Sequence, residues 1–70
     1  MPIALAPTGR VLTVRKVSAE DKVKKHLMEM GLVEGEQITV LSQVHGNVIV
    51  VLKEGRVCLD RGLASKILVA

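Results

Sequence analysis

The sequence predicts a mainly β fold: a small barrel of about five short strands with one inserted α-helix. Three observations point to it. From Gly35 onward the apolar residues alternate with polar ones and are broken by short turn signals, the pattern of successive antiparallel strands. Only the stretch from Ser18 to Met30 carries apolar residues at helical spacing. The chain has 70 residues, room for a single domain that buries only roughly 60% of its unfolded surface. Closing the sheet removes edges that so short a chain has little else to cover.

Residues 1–9 read as an extended lead-in closed by Pro7 and Gly9. Leu12 and Val14 alternate with Thr13 and Arg15 as a half-buried strand does. Val17 falls on the opposite parity, so the strand ends or bulges there. Ser18 is placed to cap the helix that follows, with Asp21 three residues on as in a capping box. Val23, Leu27 and Met30 share one helical face, and Glu20–Lys24 and Asp21–Lys25 are favourable i,i+4 pairs. Gly31 can take the left-handed conformation that stops the helix, with Leu32 folding back on Leu27. In the next strand Ile38, Val40, Ser42 and Val44 lie on one face and Thr39, Leu41 and Gln43 on the other. His45 to Asn47 form a hairpin turn. Val48 to Leu52 is apolar on both faces, so a barrel interior absorbs only half of it. Glu54 and Gly55 turn the chain into Arg56–Leu59. Asp60 to Ser65 holds a single tight turn, and Lys66 to Val69 a last strand.

Composition excludes several functions. Aromatic residues make up 0% of the chain, which removes the ring-lined grooves that bind proline-rich peptides and the platforms that stack single-stranded nucleic acid. One cysteine, Cys58, permits no intrachain disulfide and no cysteine metal spacing. The longest apolar run, Val48 to Leu52, is far short of the ~20 residues that span a bilayer, and the first residues lack a signal-peptide pattern. These features fit a soluble cytoplasmic protein without membrane insertion. The formal charge is +3, and the excess is local: Arg10 to Lys25 holds six basic residues against two acids. Such a surface suits solvent first, an acidic protein partner second and nucleic acid third.

No residue pattern calls for catalysis. Cys58, between Val57 and Leu59 in a strand, reads as a small buried hydrophobe. His26 and His45 have no carboxylate partner at motif spacing, and Met28 and Met30 serve the helix flank and core better than a soft metal. Glu34 and Glu36 flank a turn glycine and read as solvated. No phosphate-binding glycine loop occurs. We therefore expect no enzyme, cofactor or resident metal.

The run Lys25-His26-Leu27-Met28-Glu29-Met30-Gly31-Leu32-Val33-Glu34-Gly35-Glu36-Gln37-Ile38 resembles the signature of the ferrous iron transport protein A (FeoA) family, approximately R-L-x-x-[LM]-G-L-x-x-G-x-x-[IV]. The tail, Gly55-Arg56-Val57-Cys58-Leu59 followed by Ala64, Ile67 and Val69, is similar to the family's ending, and Leu5 to Gly9 fits its lead-in. The likeness covers nearly the whole chain. Three positions depart from it: Glu34 and Asn47–Val48 stand where prolines are common, and Lys25 and His26 where arginine is frequent.

The resemblance implies an SH3-like barrel over residues 1–70. It also implies a cytoplasmic accessory role beside the membrane ferrous iron transporter, contacting the cytoplasmic part of its large GTPase-permease component. A small nucleic-acid-binding barrel and a metal-binding regulatory module of iron homeostasis are the alternatives. The expected partner surface is the helix and the corner after it, with Lys22, Lys24, Lys25, Leu32 and Val33. Ser18, Leu27, Gly31, Gly35, Ile38 and Gly55 are expected to hold the architecture. Weak homodimerisation is expected from the apolar second face at Ile49 and Val51.

Overall fold

The computed structural model describes all of residues 1–70. Five antiparallel strands curl around one aliphatic core as a small SH3-like barrel: β1 (Val11–Val17), β2 (Gln37–Val44), β3 (Asn47–Leu52), β4 (Gly55–Leu59) and β5 (Ile67–Val69). Helix α1 (Asp21–Glu29) is inserted between β1 and β2, and the one-turn helix α2 (Arg61–Ala64) links β4 to β5. The strand order is β4-β3-β2-β1-β5. No helix is long and apolar enough to cross a membrane.

β1 serves two halves of the sheet. Val11 to Thr13 pair with β2, and Val14 to Val17 pair with β5. Arg15 is the extra residue in a bulge between the two registers. The bulge turns Val17 inward, where it is buried, and it explains the parity break in the sequence. A bulge also bends its strand, which is what closing a short sheet requires.

A second bulge, at Leu41, corrects the expected facing of β2. The register with β3 slips between Val40 and Ser42. Ser42 and Val44 therefore leave the core face, and Gln43 joins it, opposite buried Val48. The Gln43 amide donates to the carbonyls of Ile3, at 3.3 Å, and Ala6. Those carbonyls belong to a 3-10 turn, Ile3–Leu5, where an extended lead-in was expected. Ile3 is fully buried, and Pro2 bridges to Leu68 on β5. The N-terminal segment is thus part of the barrel wall.

Every buried side chain is aliphatic: all 15 are Ala, Val, Leu or Ile. The hairpin between β2 and β3 turns through His45 (φ 52°) and Gly46 (φ 82°), the primed geometry whose twist matches the flanking strands. Asp60 caps α2 by accepting from the Leu63 amide at 2.8 Å.

Helix α1 starts later than the sequence suggests. Glu20 occupies the N-cap position without a side-chain cap. The Ser18 amide instead donates to the Lys66 carbonyl at 2.7 Å, so Ser18 extends the β1–β5 pairing and is not the cap. The other end is as expected. Gly31 has φ 96°; the Gly31 amide donates to Met28 O at 2.9 Å and the Leu32 amide to Leu27 O at 3.0 Å. These two bonds are the Schellman pair. Leu27 and Leu32 both sit in the core, with Val23 and Met30 half-buried against it.

Gly31 and Gly35 share φ 96°, but a Cβ added at Gly31 would lie 3.3 Å from Leu52 Cδ1, whereas none lies within 4 Å at Gly35. Gly31→Ala is expected to destabilise the chain by about 1–2 kcal/mol. Gly35→Ala should cost less, because only the backbone conformation is strained. Urea unfolding of the two variants beside the wild type checks the order.

Candidate functional site

The corner from Met30 to Glu36 joins α1 to β2, and its placement follows from a few polar bonds. The Gly35 amide donates to Val14 O at 2.8 Å, and the Val14 amide donates to Glu36 O at 2.9 Å. Glu34 reaches back across the corner. Its Oε2 accepts from the Val17 amide at 3.0 Å and lies 3.9 Å from Lys24 Nζ. Glu34 is therefore not the freely solvated carboxylate expected from its place in a turn. Its carboxylate satisfies the last amide of β1 and ties that strand to α1. Lys24 turns toward Glu34, and no ion pair forms with Glu20 or between Asp21 and Lys25.

The expected partner residues separate into two groups. Leu32 is 0% exposed and is withdrawn from the surface: its Schellman bond to Leu27 drives the side chain into the core. Val33, next in sequence, is 36% exposed, as the geometry of a tight corner requires when its neighbour points inward. Lys22 and Lys25 are exposed on the solvent side of α1, while Lys24 is half-buried on the flank facing Glu34. The architectural residues Leu27 and Ile38 are buried, and Gly55 opens β4 with φ 143°.

Folding adds what spacing did not show. A cleft of about 360 Å³ lies between the end of α1 with its corner and the turn joining β3 to β4. Met28, Met30, Val33, Leu52 and Val57 supply its apolar lining, and Glu29, Glu36, Lys53, Glu54 and Arg56 its charged rim. Met28 is 49% exposed at this edge. Gly31 permits the cleft, since its missing side chain lets Leu52 approach the corner. Two methionines give the wall adaptable, unbranched surface. The β3–β4 turn lies far along the chain from the corner, so the sequence showed a turn at Glu54–Gly55 without showing what it faces.

The remaining candidates do not assemble into a centre. Cys58 is exposed on the outer face of β4 and is not the buried hydrophobe expected. It stands opposite Ile49, with His45 at the far hairpin tip and His26 on α1. No group of three or more His, Cys, Asp and Glu side chains is placed to hold a metal ion.

Comparison with known proteins gives a consistent picture. The model of the FeoA domain family matches residues 1–70. An Fe(2+) transport protein A of Methanocaldococcus jannaschii is 34% identical over 68 residues, covering 97% of this chain and 83% of that protein. A crystal structure described as iron uptake regulatory protein (FeoA) superposes with a TM-score of 0.88 at 24% identity, covering 99% of this chain and 93% of its own.

The Glu34 bracket makes a measurable demand. Glu34→Ala leaves the Val17 amide without its acceptor and is expected to cost about 1 kcal/mol. Glu34→Gln keeps an acceptor and loses only an exposed ion pair, so its cost should stay below ~0.5 kcal/mol. Urea unfolding measures both, and hydrogen exchange at the Val17 amide should quicken only in the alanine variant.

Proposed function

The chain belongs to the FeoA domain family, and on that premise we propose that it is a cytoplasmic accessory protein of ferrous iron transport, acting by contact with the cytoplasmic, G-domain-containing part of the membrane transporter. The observation that carries this reading is the cleft beside the family's densest signature. Five of its thirteen lining residues are apolar, and its charges sit on a solvent-facing rim. A site for a small molecule places polar groups inside to orient the ligand. Here every polar or charged lining residue is exposed, so none is held inside to orient a ligand. A cleft of about 360 Å³ suits one or two anchoring side chains of a protein partner, which is how most interface energy is concentrated.

The surroundings support the same partner class. Lys22 and Lys25 project from the solvent side of the helix, Lys25 one turn before the exposed Met28. A transporter domain that seats an apolar anchor in the cleft, offers basic groups to Glu29, Glu36 and Glu54 and reaches Lys22 and Lys25 with acidic ones would meet these features. The name of the archaeal relative, Fe(2+) transport protein A, supplies the transport context. The residues that recur in the family signature are glycines and aliphatics. They shape a surface and carry no reactive group, so the contribution to transport is binding, and catalysis belongs to the partner.

Binding of the purified chain to the transporter's soluble cytoplasmic domain tests this. Lys22→Glu, Lys25→Glu and Val33→Ser together should leave the fold intact, since all three are exposed and such changes cost little. The triple variant is expected to bind at least tenfold more weakly by calorimetry. Wild-type affinity in a folded variant places the contact on another face.

A further inference from the structure

The two ends of the sheet are treated differently. The edge of β5 is covered: the Met1 amine donates to Val69 O at 2.7 Å, the Val69 amide donates to Met1 O at 2.7 Å, and Pro2 bridges to Leu68. The edge of β4 is bare. β4 is the last strand in the order, and its strand pairing runs to β3 alone. Gly55 to Val57 border the open cleft and meet no further strand. The strand has no proline, no bulge and no inward-pointing charge, three of the devices that keep an edge from pairing.

We propose that β4 is an interface for a second copy of this chain, pairing antiparallel about a two-fold axis with Cys58 opposite the partner's Cys58. The side chains of β4 select that register. Arg56 and Cys58 face outward, opposite Val51 and Ile49 of β3, and Asp60 continues on that face in extended conformation. Val57 and Leu59 face inward. Antiparallel pairing centred on Cys58 sets Arg56 against the partner's Asp60 twice, and Val57 against the partner's Leu59 twice. Centring on Val57 sets Arg56 against a cysteine. Centring on Leu59 sets Asp60 against a cysteine and Val57 against an arginine. A centre between two residues opposes an inward side chain to an outward one along the whole strand. Only the Cys58 register matches charge with opposite charge and apolar with apolar.

The two charges are available for this. Asp60 uses Oδ1 to cap α2, and Oδ2 has no partner within the chain. Arg56 is exposed and makes no ion pair. Pairing would also extend the outer apolar row of Ile49 and Val51 across the axis, where each copy has it only half-buried. Closed two-fold dimers of this kind are the commonest oligomers.

Sedimentation under reducing conditions, from micromolar to millimolar protein, tests the proposal on the full chain. The mass is expected to rise with concentration from one chain to two. Cys58→Lys sets two ammonium groups face to face on the axis and should weaken association at least tenfold with an unchanged circular dichroism spectrum. Arg56→Glu opposes two acids at each side and should act in the same direction. Without reductant, copper–phenanthroline should trap a Cys58-linked dimer, with a yield reduced by Arg56→Glu. A monomer throughout the range overturns the proposal. So does a dimer that neither substitution weakens.

Discussion

Val14 exchanges two backbone hydrogen bonds with the corner that follows the helix, donating to Glu36 O and accepting from the Gly35 amide. On the other side of the same strand, Thr13 and Ala70 exchange another pair, at 2.8 and 3.0 Å. The middle of β1 is therefore where the corner, the second strand and the C-terminal strand are joined. Backbone bonds of this kind are obligatory once the strand is buried, because an unpaired amide or carbonyl there costs as much as a lost hydrogen bond. The Arg15 bulge lets one strand meet both demands. Without the extra residue, Val17 would face solvent and Val14 to Val17 could not turn toward β5.

The helix depends on this junction more than on its own surface. Only Leu27 of α1 is buried, and a nine-residue helix is too short to persist in water by propensity alone. It is held at its C-terminal end by the Schellman bonds and Leu32, and at its flank by Lys24, Glu34 and the Val17 amide. The candidate site thus sits where a weakly embedded helix meets a rigid corner. The cleft wall on that side is mounted on one buried leucine, while the opposite wall is the β3–β4 hairpin of the barrel itself.

A core without aromatic rings shapes the rest of the surface. Aliphatic side chains fill the interior completely enough that no buried polar group remains to be satisfied. The limited volume leaves apolar residues outside as well: Val11, Leu41 and Val44 are exposed, and Ile49 and Val51 on β3 are half-buried. In a chain this short the surface is large relative to the interior, so such residues have nowhere else to go. A binding module can use that surplus as contact surface.

The sequence by itself determined the β character, the single helix of useful length, its stop at Gly31, the hairpin at His45–Gly46 and the family. Each rests on local chemistry: period-two alternation, helical spacing around Leu27, and glycine where φ is positive. It also required one of Leu32 and Val33 to be exposed, because consecutive apolar residues at a turn cannot both point inward. Tertiary structure decided which of the pair did, and Leu32 went in. It moved the helix start from Ser18 to Glu20, because Ser18 found a better partner in Lys66 across the sheet. It turned Gln43 inward, because carbonyls of the N-terminal turn needed a donor. It gave Glu34 an amide to hold, brought Leu52 and Arg56 to the cleft and left Cys58 outside. All of these depend on partners far away in the chain, and a pattern of neighbours carries no record of which distant backbone group will be left without a hydrogen bond.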